Sequence, residues 1–235
     1  MGKLINVLLF ISLASRAFAQ APVDSISYQS SVDNALETYY HSLGSGSGIY
    51  NGMVFTGYSP ATEGFPFYQS EDWQKGTIFY DEVPYKDVLV KYDLVADEVL
   101  VKTSEGFAIR LYSPRVKYFF FLGHHFIYVA GNNKSPLRPG FYDLLRSGNM
   151  TILAKRSKRM IEKMTTTATE NKYFQSDEFF IEKGGIYYPV KNLKSALDVT
   201  GDKKKDIRRF LRKNRIRFRR NKESALIKIA EYYNQ

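Results

Sequence analysis

Apolar and polar positions along the chain fall into stretches of different period. Over residues 76–129, short β-branched and aromatic runs alternate with polar residues. Each run is cut by turn formers, at Asp81-Glu82, Val95-Ala96-Asp97, Ser104-Glu105-Gly106, Ser113-Pro114 and Leu122-Gly123. Runs spaced about 8–12 residues apart, with no helical period between them, predict an antiparallel meander. Val88, Val90 and Tyr92 share one face of their strand against Asp87, Leu89, Lys91 and Asp93. Likewise Phe107, Ile109 and Leu111 oppose Ala108, Arg110 and Tyr112. Such half-polar alternation predicts one buried face and one solvated face. The run Tyr118-Phe119-Phe120-Phe121-Leu122 is apolar on both faces, which places it at the centre of a sandwich or beside a cavity.

Upstream, Val32, Ala35, Leu36, Tyr39, Tyr40 and Leu43 recur at the spacing of an amphipathic helix. Ser30 or Ser31 can cap its start and Gly44 can end it. The Gly/Ser run over 44–48 follows as a flexible linker, so the helix packs on the sheet or docks a partner. Asn51-Gly52 signals a tight turn, with a first strand over 53–58. Residues 59–72 carry Pro60, Gly64 and Pro66 and read as a loop. Its aromatics and the following tryptophan, Phe65, Phe67, Tyr68 and Trp73, either plug the core or face a ligand.

Downstream of the meander, 132–140 is a loop, and 141–145 with 150–155 form a hairpin. Residues 156–171, charged and Thr-rich, read as a mobile excursion. Residues 177–181 and 186–190 form a last hairpin around Gly184-Gly185, for roughly nine strands in all. Then the period changes. Asn192 caps a short helix through Leu193, Ala196 and Leu197 that Gly201 ends. Asp202 caps a second, with Ile207, Phe210 and Leu211 as its stripe. Ile216 and Phe218 alternate with Arg215, Arg217 and Arg219 as an extended piece, and Asn221 caps a final helix with stripe Leu226, Ile229, Ala230 and Tyr233. The expected fold class is mainly β with α appendages (α+β), an antiparallel meander forming a sandwich or half-open barrel with a helical C-terminus. The expected units are a signal peptide (1–19), a helix and linker (20–48), a β domain (49–191) and a basic helical segment (192–235).

The leader changes the compartment. Lys3, an apolar run over 4–13 and Ala17-Phe18-Ala19 fit a secretory signal cleaved after Ala19. No other stretch reaches the ~20 apolar residues of a membrane span. Cysteine is absent, so an exported chain would be held together by burial, and thiolate metal sites and cysteine nucleophiles are excluded. With 18 Tyr and 17 Phe in 235 residues, there is ample aromatic material for a core.

Charge is concentrated. Residues 203–222 hold twelve Lys and Arg and one acid, Asp206, for a local net of +11. The whole chain is +10; without Lys3 and Arg16 of the leader it is +8, so the rest of the mature chain is −3. Guanidinium forks suit phosphate and carboxylate. If the segment were helical throughout, Arg208, Arg212, Arg215 and Arg219 would share a face. Export and the lack of an aromatic-interleaved motif disfavour nucleic acid. Anionic lipid or glycolipid headgroups of the lipid A type, or an acidic face of an envelope protein, fit the charge. A solvated basic face that pairs with the acidic body is the alternative.

Catalytic patterns are thin. His124-His125 point to opposite faces of a strand and cannot chelate one ion, and His41 is remote in sequence. The acidic pairs Glu71-Asp72, Asp81-Glu82 and Asp97-Glu98 sit at turns. There is no Gly-x-Ser-x-Gly, His-Glu-x-x-His or phosphate-binding glycine loop. No cofactor or metal is expected.

The run Ile49-Tyr50-Asn51-Gly52, Gly64-Phe65-Pro66-Phe67, Asp72-Trp73, Gly76, Tyr80-Asp81, Tyr85, Val88 and Tyr92-Asp93-Leu94, with the tail KYFQSDEFFIEKGGIYYPVKNLKSALDV, DIRRFLRKNRIRF and EYYNQ, resembles uncharacterised exported proteins of the Bacteroidota. The resemblance covers most of the chain after Gly48 and implies an envelope or secreted location in a two-membrane bacterium. It carries no functional residues. The leading expectation is a non-catalytic envelope binding or scaffolding module that docks through Arg208, Arg212, Arg215, Arg217, Arg219 and Arg220. The alternative is a carrier of a lipid-like ligand in a half-barrel lined by Phe65, Phe67, Trp73, Phe119 and Phe121. An enzyme of unknown class is third.

Overall fold

The computed structural model describes Tyr39 and residues 48–58, 62–132, 135–164 and 169–235. The expected signal peptide, lead-in, amphipathic helix and linker lie outside the described residues, except for the helical Tyr39 and for Gly48. Twelve strands form one sheet: β1 (Met53–Val54), β2 (Thr62–Glu63), β3 (Gln74–Tyr80), β4 (Val83–Asp93), β5 (Glu98–Lys102), β6 (Ala108–Arg110), β7 (Val116–Phe121), β8 (His124–Val129), β9 (Gly140–Arg146), β10 (Thr151–Met164), β11 (Thr169–Lys183) and β12 (Ile186–Val190). Their order is β1-β6-β5-β4-β3-β7-β8-β9-β10-β11-β12. Every pairing is antiparallel except β2, which lies parallel to β11. Three helices follow: α1 (Leu193–Val199), α2 (Lys204–Lys213) and α3 (Lys222–Tyr233).

The meander over 76–129 is largely as the alternation predicts. Its turns sit at the expected residues, and Val90 and Tyr92 are buried while Asp87 and Leu89 are exposed. Asp93, expected on the solvated face, is buried instead, because its Oδ1 accepts from Val95 and Ala96 N–H in the turn. Phe107 departs from its predicted face and is exposed, because β6 has only three residues and begins after it. The strand path does not close, but the sheet curls until the β4–β5 turn meets β10, where Lys158 N–H donates to Leu94 O at 2.9 Å. A first core fills this curl, with Ile78, Tyr92, Phe119, Phe121, Phe126 and Phe141 among its members. Each such side chain contributes about 1.5–3 kcal/mol by leaving water.

Three expectations are corrected. The excursion over 156–171 is instead the middle of a long hairpin. β10 and β11 pair in unbroken register from Thr151↔Glu182 to Met164↔Thr169, with only 165–168 outside the described residues. Its outer part is solvated, so the charged residues that hid the strand cost nothing there. The expected first strand over 53–58 shrinks to two residues. The extended piece around Ile216 and Phe218 is a pair of turns, since none of the described strands pairs with it.

The helices are not loosely attached. Met150 just before β10, Ile152 and Ala154 from β10, Phe179 and Ile181 from β11 and Val190 from β12 form one buried cluster with Leu197, Ile207, Leu211, Leu226 and Ile229. The end of α3 is tied to the β9–β10 turn as well: Asn234 Oδ1 accepts from Met150 N–H (2.8 Å), and its Nδ2 donates to Met150 O (3.1 Å).

Candidate functional site

Apolar spacing fixes which side of α2 faces outward. Ile207 and Leu211 are buried, so Arg208, Arg209, Arg212 and Lys213 are turned to solvent. The helix ends at Asn214, and Arg215 takes a left-handed φ of +55°. Arg215 N–H bonds back to Arg212 O (3.1 Å) and Ile216 N–H to Leu211 O (2.9 Å), the double closure normally built around glycine. The helical row of four arginines therefore breaks after Arg212. Arg215, Arg217, Arg219 and Arg220 lie on the turns that follow, all exposed. Between them Phe218 is only 7% exposed and joins the helix–sheet core.

Across from this turn lies the β12–α1 junction. Asn192 caps α1 by accepting from Ser195 N–H at 3.0 Å, and the Ser195 hydroxyl accepts in return from Asn192 N–H. The cap also holds the backbone of Lys191, whose N–H donates to the Ser195 hydroxyl at 3.0 Å. Together the two connections enclose an open groove of about 930 Å³. One wall is Lys191, Asn192, Leu193 and Lys194; the other runs from Arg217 to Lys222, with Asn221 not part of it. Among the described residues, no acidic one lines it.

Pairing of the cations with the body is sparse. Among the described residues, Arg209 has an exposed 3.6 Å contact with Asp206, and Lys204 bonds Asp198. Arg212, Arg215, Arg217, Arg219 and Arg220 have no ion pair with a described carboxylate. The Lys204 hydrogen bond holds the Asp198 carboxyl below its usual range, and Lys194 and Arg208 add to the same positive field.

Of the expected apolar lining residues, Phe119 and Phe121 sit in the first core. Phe119 stacks on Phe126 at 4.8 Å and meets Tyr92 and Phe141 edge-on. Phe65, Phe67 and Trp73 lie elsewhere, against lysines. Lys158 Nζ is 4.2 Å from the Phe65 ring and also donates to the Phe65 and Phe67 carbonyls; Lys91 Nζ is 4.6 Å from Phe67 and 4.8 Å from Trp73. Burial lowers the pKa of both lysines. The five aromatics are thus divided between the core and a clasp across the sheet.

A buried charge cluster went unread in the sequence. Register places Phe126, Asp143, Ala154 and Phe179 side by side on one face, with Arg156 and Asp177 two residues further along. Arg156, 4% exposed, donates from Nη2 and Nε to Asp143 Oδ2 (2.7 and 3.2 Å) and from Nη1 to Asp177 (2.8 Å). Its Nη2 also lies 2.7 Å from Glu223 at the start of α3. Burial pulls the guanidinium pKa down, but Asp143, Asp177 and Glu223 outweigh it and hold it above the ordinary value. His124 Nδ1 is 2.8 Å from the same Asp143 oxygen. A hydrolytic triad would need a hydroxyl or thiol at the other ring nitrogen; there, Gln69 Nε2 stands 3.5 Å away. The cluster is a clamp that fixes α3 to the sheet. The signal for it was the alternation Ile152, Ala154, Arg156, which carries Arg156 onto the core face.

Among the described residues no group of three His, Cys, Asp or Glu could hold a metal ion, and no helix is long and apolar enough to cross a membrane. Compared with family models, with curated proteins and with solved structures, the chain matches none.

Proposed function

We propose that this is an exported, non-catalytic envelope module that docks an anionic lipid surface through its basic C-terminal face. One observation carries the reading. The rest of the mature chain is net negative, yet Arg212, Arg215, Arg217, Arg219 and Arg220 are exposed and have no ion pair among the described residues. A basic segment that served only to balance the body would be spent on it. Each cation near an anionic surface contributes about 1 kcal/mol, so a handful acting together suffices for stable association. The helices give the face a fixed shape through their shared core with β10–β12.

The test is binding of the full chain to vesicles containing phosphatidylglycerol, across a salt series. Affinity should fall steeply as ionic strength rises. A variant with Arg208, Arg212, Arg215, Arg217, Arg219 and Arg220 changed to Gln should lose binding while keeping its thermal transition. Binding indifferent to salt would overturn the proposal, as would capture of an acidic envelope protein by a chain that ignores the vesicles.

A further inference from the structure

We infer that the groove between the β12–α1 junction and the turn at 217–222 is a headgroup site for a lipid bearing phosphomonoesters. The inference rests on the docking role proposed above and assigns it a ligand class. Three features of the groove point there. First, Lys191 and Lys194 come from a different part of the chain than Arg217, Arg219 and Arg220, and the fold brings both sets to one recess with no carboxylate of the described residues in its lining. Packed like charges repel, and a ligand that neutralises several at once relieves that repulsion. Second, its volume of about 930 Å³ is that of a small-molecule site and larger than a lone inorganic ion needs. Third, its lining is not uniformly polar, because Phe218 and the half-buried Leu193 contribute apolar surface. An acidic head joined to an apolar stem matches both parts.

The choice of monoester over diester follows from charge and geometry. A phosphomonoester carries about −1.5 to −2 charges and three acceptor oxygens, enough for two guanidinium forks and an ammonium together. A phosphodiester offers a single charge and two free oxygens.

The experiment compares phosphatidylcholine vesicles doped with phosphatidic acid or with phosphatidylglycerol, adjusted to equal zeta potential, at about 0.15 M salt. The full chain should bind the phosphatidic acid vesicles about ten-fold more tightly or better. Changing Lys191 and Lys194 to Gln should bring that ratio close to one. Changing Arg208 and Arg212 to Gln removes the same charge outside the groove, and should weaken both kinds of binding while preserving the ratio. Equal, salt-sensitive binding of the unaltered chain to both vesicles would overturn the headgroup site and leave the docking role standing. No salt-sensitive binding to either would overturn both. Soluble glycerol 3-phosphate binding as tightly as the phosphatidic acid vesicles would overturn the assignment to a lipid.

Discussion

Asp143, only 1% exposed, answers two cationic or protonatable partners with one oxygen: Oδ2 takes two bonds from Arg156 and faces His124. Removing Asp143 leaves Arg156 with Asp177 and Glu223 but takes away two of its charge-assisted bonds, at about 1.5–3 kcal/mol each, and the partner of His124. Asp143→Ala should therefore lower the thermal midpoint by roughly 10 °C in a chain of this size, and a calorimetric shift below about 2 °C would contradict the clamp. His125, next to His124 in sequence, faces the other way and stacks on Phe120 at 4.2 Å. Burial lowers its pKa from 6.5, with Asp143 opposing in part. A base held below its unfolded pKa takes up a proton on unfolding, so the stability it allows is full above that value and is lost as pH falls through the folded pKa. Urea midpoints should thus decline from about pH 7 to pH 5, and His125→Phe should flatten the decline. These two histidines show what single residues disclose. Strand alternation was enough to separate their faces. The partner of His124 was not legible, because it depends on the register of β8 against β9.

Among the elements, α2 and its closing turn hold the least expected geometry. Arg215 occupies a left-handed position that glycine takes at little cost. The left-handed conformation costs a non-glycine residue about 1–2 kcal/mol, offset in part by the extra chain entropy of glycine, so Arg215→Gly should raise stability by up to about 1 kcal/mol and weaken vesicle binding about five-fold through the lost charge. Paired denaturation and binding measurements would show the two effects in opposite directions; a variant that loses stability would contradict the helix-end geometry. Legibility followed burial at this scale. The caps at Asn192 and Asn221 and the stripes of α1, α2 and α3 were readable because each helix keeps one apolar side. The long β10–β11 arm was not, since strands solvated on both faces have no alternation to show: Met160, Ile161 and Phe174 are exposed alongside charged neighbours. The turns around Phe218 were misread for a related reason. Two apolar residues spaced by arginines fit a strand as well as a turn when only one of them, Phe218, is buried.

For the whole molecule, the helices and the sheet share a core, which bears on how the basic face should be tested. A chain ending at residue 191 would uncover Met150, Ile152, Ala154 and Ile181, all buried beneath the helices. Such a chain should aggregate, seen as early elution and strong light scattering. A monodisperse truncated protein would show that the sheet needs no cover. Charge substitution, rather than truncation, is therefore the clean way to silence the face. The mainly antiparallel architecture and the concentration of charge were both legible, one from period and the other from counting. The groove was not, because its walls lie at Lys191 and Lys194 and at Arg217 to Lys222, and only the packing of three helices sets them opposite each other. Phe218 gives that arrangement its permanence. A free polybasic tail adopts many shapes and surrenders that freedom when it meets a surface. Here the anchored ring has already removed much of it, and the backbone positions of the arginines on either side are settled during folding. If the face docks a ligand as proposed above, selectivity would turn on whether that ligand's acceptors match those positions, so that two partners of equal charge could be told apart.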